Sequence, residues 1–303
     1  MIETDFFSTY FLPGVLALIM MGMGLSLTAE DFKRILLHPG SVIVGLISQM
    51  ILLPATAIAL AILAGDFLSN EMKVGLVLVS ACPGGTTAGL MSHLLKGNVA
   101  LSVSITTVNS LLTIITIPLI TNWAMVFFMG EGKQIELPFG EMMVHVLVVL
   151  LLPCLLGVII RANKPEWAHK LEGPLKPLMA ISLGIAILAA MFLEKKQGPQ
   201  LEFQQFFSVF PWAFLLNLGG MFFGLWSSKL IRLDLASGLT IGLETGLQNT
   251  GLAIFIATSS YLLADATYAV PAATYAMFSL ITAGLFGLYV QRGKVGLKDM
   301  FGT

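Results

Sequence analysis

Gly242-Leu-Glu-Thr-Gly-Leu-Gln-Asn-Thr-Gly251 sits in the middle of an apolar stretch that runs from 235 to 264. With Thr240 just before it, the segment holds six polar side chains (Thr240, Glu244, Thr245, Gln248, Asn249 and Thr250) among three glycines. A stretch of that length is a membrane-spanning helix by hydropathy, yet a lipid-facing helix does not carry this density of polar groups. Glu244 is the sharpest signal. An ionised carboxylate at the bilayer centre costs at least about 2.5–3.5 kcal/mol, so it faces a cavity or a partner. No Lys or Arg occupies comparable depth in any apolar stretch, which leaves a bound cation or a proton as that partner. The plainer alternative is a protonated Glu in a structural hydrogen bond. Glycines weaken the helix here, and unwound backbone at this depth is tolerated only where it lines a cavity or is buried in protein. Freed carbonyls would add hard oxygen ligands beside the carboxylate, chemistry suited to a cation such as Na⁺.

The rest of the chain has the composition that such a segment requires. Of 303 residues, 56% are hydrophobic and only 11% charged, with a mean hydropathy of +0.89. A soluble domain carries about 25% charged residues, so the solvent for this surface is lipid. The net charge of −1 and the absence of a long basic run argue against a nucleic-acid partner. Cys82 and Cys154 both lie in apolar stretches, which argues against a disulfide framework. The acidic start Met1-Ile-Glu-Thr-Asp5 lacks the basic region of a cleaved signal peptide, so the first apolar stretch is expected to be retained.

Nine stretches have the length to cross a bilayer: 7–27, 41–64, 72–95, 99–127, 139–162, 174–193, 206–230, 235–264 and 268–291. With nine spans, 12 basic residues fall on one side, Lys33, Arg34, Lys96, Arg161, Lys229, Arg232 and Arg292 among them. Only Lys73, Lys133, Lys195 and Lys196 fall on the other. The positive-inside rule then places the N-terminus outside and the C-terminus in the cytoplasm. Interruptions are short, so 1–303 reads as one all-α integral membrane domain.

A second break lies in the span 72–95, at Ala81-Cys-Pro-Gly-Gly-Thr-Thr-Ala-Gly89. Pro83 removes a donor and Gly84-Gly85 permit non-helical dihedrals, after which Thr86 and Thr87 resemble the cap of a restarted helix. Such a half-helix aims free N–H groups at a cavity, a ready anion site; a mere proline kink is the alternative. The two breaks occupy matching places, next to last in a first half of four spans and in a second half of five. Paired broken helices are the sequence signature of a secondary transporter built on inverted repeats. Here 1–127 forms repeat one, 139–291 repeat two, and 292–303 a cytoplasmic tail.

Three motifs, Cys82-Pro-Gly-Gly-Thr86, Lys96-Gly-Asn-Val-Ala-Leu-Ser102 and Glu244-Thr-Gly-Leu-Gln-Asn249, closely resemble the bile acid:sodium symporter (BASS) family. Met23-Gly-Leu-Ser-Leu27 and the run from Gln49 to Pro54-Ala-Thr-Ala57 also look like its members, so the resemblance spans nearly the whole chain in order. It implies a core domain with two crossing broken helices and a panel domain packed against it. Many bacterial members of that family have ten helices, and the resemblance implies a chain that starts at what would be their second. The resemblance further implies a symporter in the bacterial inner membrane that imports an organic anion, such as a bile acid or small carboxylate, with one or two Na⁺ ions. Carried over by position, a first sodium site would use Ser102, Thr106 and Glu244. A second would use Gln49, Glu244 and Gln248 with the carbonyls of Thr245 and Leu247. Asn249, Thr86 and Thr87 would face the substrate. Where sodium-coupled relatives commonly have Ser-Asn or Ala-Asn, this chain has Ala88-Gly89. The first site therefore lacks two side-chain ligands, one of which Asn109 or a water could replace.

Several lesser signals read as structural. His93 and His145 are expected to be satisfied by hydrogen bonds, Asn217 with Gly219-Gly220 to pack helices, and Met20-Met-Gly-Met23 to fill lipid or core space. Thr28 to Leu37 reads as an N-capped interfacial helix. An enzyme would need a nucleophile, metal ligands or an acid–base pair in one cavity, and no such spacing occurs. The rival reading that remains is a proton-coupled or sodium-independent carrier of the same fold.

Overall fold

The computed structural model describes residues 12–26, 39–130, 148, 152–171, 174–175, 178, 203–259, 262–263 and 265–291. Most of the proposed span 174–193, the interfacial helix at 28–37, His145, most of the first half of span 139–162 and the tail 292–303 lie outside the described residues. The named elements are all helical. They are α1 (Leu12–Ser26), α2 (Pro39–Ile47), α3 (Leu53–Ala64), α4 (Asn70–Ala81), α5 (Thr86–Leu94), α6 (Val99–Met129), α7 (Leu152–Asn163), α8 (Phe203–Leu230), α9 (Leu235–Gly246), α10 (Thr250–Thr258) and α11 (Val270–Gln291), with short 3₁₀ turns at Gly65–Phe67 and Ala266–Ala269. Among the described residues, Pro39–Phe67, Gln204–Leu230 and Ala266–Gln291 are each long and apolar enough to cross a membrane, and Val99–Met129 is a fourth when taken as one bent span.

Local chemistry explains where these helices bend and stop. Pro54 cannot donate to the carbonyl four residues back, and its ring crowds that group. The backbone widens into a π turn over Ser48–Leu52, where the Leu53 N–H reaches back five residues to Ser48 O. α6 bends by 59° between Val99–Thr113 and Ile115–Met129, and Pro118 stands four residues beyond Ile114, the position at which a proline ring displaces a carbonyl. α4 stops at Ala81 because Cys82, the residue before Pro83, is driven to an extended conformation (φ −71°, ψ 152°). The four free N–H groups at a helix start need acceptors. Ser69, Asn98, Asp234 and Asn249 supply them for α4, α6, α9 and α10 through their side-chain oxygens. At α5 the N-cap is Gly85, which has no side chain to offer. Thr86 and Thr87 are therefore the first two residues of the helix and not its cap, a correction to the sequence reading.

The packing is that of a protein in lipid. α6 buries Ser102, Asn109 and Thr113 while exposing Leu111, Ile115, Leu119, Trp123 and Phe127, an inversion that water would not tolerate. α8 is the central strut, packed along α9 and also against α3 and α11. A Cβ at Gly224 of α8 would meet the Ile241 carbonyl at 2.7 Å, so only glycine lets the two backbones approach so closely. α1 and α7 pair with each other, and α1 also reaches α10. The Asn98 N–H donates to Thr240 Oγ1 at 2.8 Å and Gln291 Nε2 to Leu95 O at 2.9 Å. These bonds gather the α5–α6 turn, the start of α9 and the end of α11 on one side. Lys96 and Arg232 thus lie toward the same end of these helices.

Candidate functional site

The broken helices have matching dimensions: 12 residues in α4 and nine in α5, 12 in α9 and nine in α10. Between them lie Cys82 to Gly85 and Leu247 to Asn249, and these two unwound segments cross. Gly84 and Gln248 form an isolated antiparallel bridge, and the Asn249 N–H donates to Pro83 O at 2.9 Å. Each break thus supplies part of what the other lacks, which is how extended backbone survives where no water reaches.

Glu244 lies on α9 less than one turn before its break and is 2% exposed. Its carboxylate accepts from Ser102 Oγ at one oxygen and from Thr106 Oγ1, at 2.8 Å, at the other. Both donors come from one face of α6, four residues apart, and neither carries charge. The other side of the carboxylate is Gly84: a Cβ there would overlap Glu244 Oε2. A side chain at 84 would thus displace the carboxylate.

The π turn in the span Pro39–Phe67 brings Gln49 to the same crossing. Gln49, 2% exposed, donates through Nε2 to Gln248 Oε1 at 2.7 Å and to the Cys82 carbonyl at 3.0 Å. Gln248 Nε2 donates in turn to Thr245 O at 2.8 Å. Glu244, Ser102 and Thr106 therefore form one hydrogen-bonded group, and Gln49, Gln248 and Thr245 another. Gly84 lies between them, bridged to Gln248 and close against Glu244, with Leu247 in the unwound segment itself. The spacing in sequence, 199 residues between Gln49 and Gln248, gives no hint of this proximity.

The residues expected to face substrate lie at the starts of the two short helices. Asn249 commits its Oδ1 to the Leu252 N–H at 3.0 Å, so the group it retains for a ligand is the Nδ2 donor. Thr87 is half-buried in the first turn of α5, where Thr86 is the first residue. Ala88 is fully buried, and the Cβ that Gly89 lacks would point to Ser102, 3.5 Å from its Oγ. Position 89 thus faces the Glu244 cluster without contributing to it. Asn109, 1% exposed, shares the α6 face of Ser102 and Thr106, but both atoms of its amide lack a protein partner, and it does not bond to Glu244. His93 is exposed, and Cys82 and Cys154 are buried free thiols.

Sequence reasoning missed one part of this architecture. Asn217 is fully buried and donates to the Gly246 carbonyl at 2.7 Å, as does the Tyr275 hydroxyl at 2.6 Å. The packing role expected of its neighbours holds for Gly220, where a Cβ would meet Thr245 O at 2.7 Å. Asn217 itself holds the broken end of α9. An amide at mid-span was the available signal, and the glycines beside it masked it.

Comparison with known proteins adds an independent line. The family model described as the sodium bile acid symporter family matches residues 13–198. A Bacillus subtilis (strain 168) protein described as the uncharacterized sodium-dependent transporter YocS is 32% identical over 94% of this chain and 85% of its own length. The probable chloroplastic sodium/metabolite cotransporter BASS2 of rice, Oryza sativa subsp. japonica, is 30% identical over 86% of this chain and 58% of its own. The rabbit (Oryctolagus cuniculus) ileal sodium/bile acid cotransporter is 27% identical over 94% of this chain and 80% of its own. These relatives are named for transport and not for catalysis. The chain, a multi-pass membrane transporter rather than an enzyme, therefore belongs to the sodium bile acid symporter family.

Proposed function

We propose that the protein imports an organic anion by alternating access, driven by one sodium ion bound between Glu244, Gln248 and Gln49. The observation that carries this reading is a carboxylate 2% exposed, held by two neutral hydroxyls and pressed against the opposite helix break. Such a group needs a positive partner, and the oxygens around it are hard donors that suit Na⁺. The ion takes the carboxylate of Glu244, the amide oxygens of Gln49 and Gln248, and the carbonyls of Thr245 and Leu247. Ser102 and Thr106 direct their protons to the carboxylate, and Ala88 and Gly89 bring no side-chain oxygen. The first sodium site of the family is thus incomplete here, and coupling uses a single ion.

Sodium neutralises Glu244 and fixes the unwound segment. The starts of α5 and α10 then present N–H groups, Thr86, Thr87 and the Asn249 amide to the substrate's anionic group. An organic monocarboxylate or sulfonate fits this donor set, in keeping with relatives named for bile acids and metabolites. The crossing helices form a core that moves against a panel containing α1 and α7. The chain is organised as inverted repeats, 1–127 and 139–291. It lies in a bacterial inner membrane, N-terminus outside and C-terminus, with the tail 292–303, in the cytoplasm. Binding drives the movement only through different affinities for the two states.

The test is thermal unfolding of the detergent-purified protein in NaCl against choline chloride, with Glu244→Gln beside the wild type. A ligand bound only by the folded state adds roughly 2.7 kcal/mol at a hundredfold excess over Kd. The expected result is a sodium-specific rise in the wild type that is lost in the variant, together with loss of sodium-driven uptake. The absence of side-chain oxygens at Ala88 and Gly89 favours a second reading, a proton-coupled carrier working through Glu244. Uptake that persists in choline and collapses with a protonophore would replace the first reading with the second.

A further inference from the structure

A helix that stops leaves its last carbonyls without intrahelical donors, and at the bilayer centre water does not replace them. At the end of α9 these carbonyls find separate partners. Leu243 O accepts the Leu247 N–H at 2.8 Å and Thr245 O accepts Gln248 Nε2 at 2.8 Å. Gly246 O accepts two donors from outside the broken helix, Asn217 Nδ2 from α8 at 2.7 Å and the Tyr275 hydroxyl from α11 at 2.6 Å. Asn217 also donates to the Tyr275 oxygen at 3.2 Å, and Thr282 Oγ1 donates to Asn217 Oδ1. Because the Gly246 carbonyl can only accept, it determines which way round the amide lies. Asn217 and Tyr275 are both fully buried, and neither touches Glu244, Gln49 or Gln248 through a hydrogen bond.

We infer that Asn217 and Tyr275 are positioning residues of the cation site, holding the Gly246 carbonyl on the α8–α11 side so that the unwound segment leaves α9 in one direction. The carbonyl of Gly246 and the N–H of Leu247 share one rigid peptide plane. The first is clamped by α8 and α11 and the second by Leu243 O. With both edges of the plane fixed, Leu247 exits in extended geometry (φ −105°, ψ 111°). Gln248 is thereby aimed at Gln49, and Asn249 N at Pro83 O. A carbonyl oxygen has two lone pairs, and here both are held by donors from outside the broken helix, which fixes its direction as well as satisfying it. This inference rests on reading Glu244 and Gln248 as the cation site.

Tyr275→Phe removes the hydroxyl while keeping the ring against Phe278. The measurement is the NaCl concentration that gives half-maximal thermal stabilisation, and half-maximal uptake, in the wild type, Tyr275→Phe and Thr282→Val. Thr282→Val keeps the side-chain volume and removes the hydroxyl that meets Asn217 Oδ1, loosening the amide that holds Gly246, so it serves if the tyrosine variant does not fold. The expected result is a rise in the sodium requirement by about threefold or more, the size of an average interhelical hydrogen bond in a membrane, with the substrate KM at saturating sodium unchanged. A variant that melts lower by the same amount in NaCl and choline, with an unaltered sodium requirement, would show a purely structural role and overturn the inference. A wild type with no sodium response would instead remove the cation reading on which it rests.

Discussion

The N–H of Asn249 donates to the carbonyl of Pro83 at 2.9 Å. Proline at 83 is what ends α4, and Asn249 is what caps α10, so this one bond joins the cause of one break to the restart of the other. The two unwound segments are thereby a single structural unit, and disturbing either is expected to register in both.

Gly84→Ala tests that unity. The added methyl would overlap a carboxylate oxygen that Ser102 and Thr106 hold in place. The carboxylate must yield, and it does so at the cost of those bonds. Loss of sodium-dependent stabilisation and at least a tenfold fall in sodium-driven uptake are expected, on the order of one buried charged hydrogen bond. An alanine variant with wild-type sodium dependence would show that the contact is slack.

Gln49→Ala and Gln248→Ala are expected to be non-additive. Their side chains share a bond of 2.7 Å, and residues in one network couple by about 0.5–3 kcal/mol. A double-mutant cycle on thermal stability in NaCl reads this directly. Additivity within error would mean that the amides act separately.

Gly89→Asn is a gain experiment. A Cβ at 89 makes an ordinary contact with Ser102 Oγ at 3.5 Å, so the helix accepts a side chain, and the new amide faces the cluster around Glu244. The sodium dependence of uptake should steepen, its Hill coefficient moving from about 1 toward 2, the number of sites. An unchanged curve would mean that an amide at 89 does not restore that site.

Asp234 offers a pH test outside the spans. The Ser237 N–H, which it caps at 2.8 Å, holds its carboxyl below the usual Asp range, against a smaller opposing effect of burial. A depressed folded-state pKa contributes stability above the unfolded value, near 3.9 for Asp, that is lost as pH falls through the folded value. Asp234→Ala should cost about 1 kcal/mol at pH 7. That difference should shrink as the pH is taken below about 4.

Much of this protein was legible without coordinates, because the bilayer imposes its rules on local sequence. Among the described residues, length and apolarity located the helices at Pro39–Phe67, Val99–Met129, Gln204–Leu230 and Ala266–Gln291, and Pro83, Gly84 and the polar run from Glu244 to Thr250 located both breaks. A carboxylate with no basic residue at its depth drew attention to Glu244, which the packing buries against Ser102 and Thr106. Those signals are local, since each depends on the few residues that must cross about 30 Å of hydrocarbon. Several matters belonged to the tertiary structure alone. The capping of α5 by Gly85 depended on where the chain emerged from the crossing. The approach of Gln49 to Gln248 depended on a π turn made by Pro54. The clamp of Asn217 and Tyr275 on Gly246 joins three helices. Hydrogen bonds between distant segments leave no periodicity, and a buried Asn or Tyr reads the same whether it packs or positions. Which polar groups a broken helix needs was written in its sequence; which partners meet those needs was decided by the packing of the helices around it.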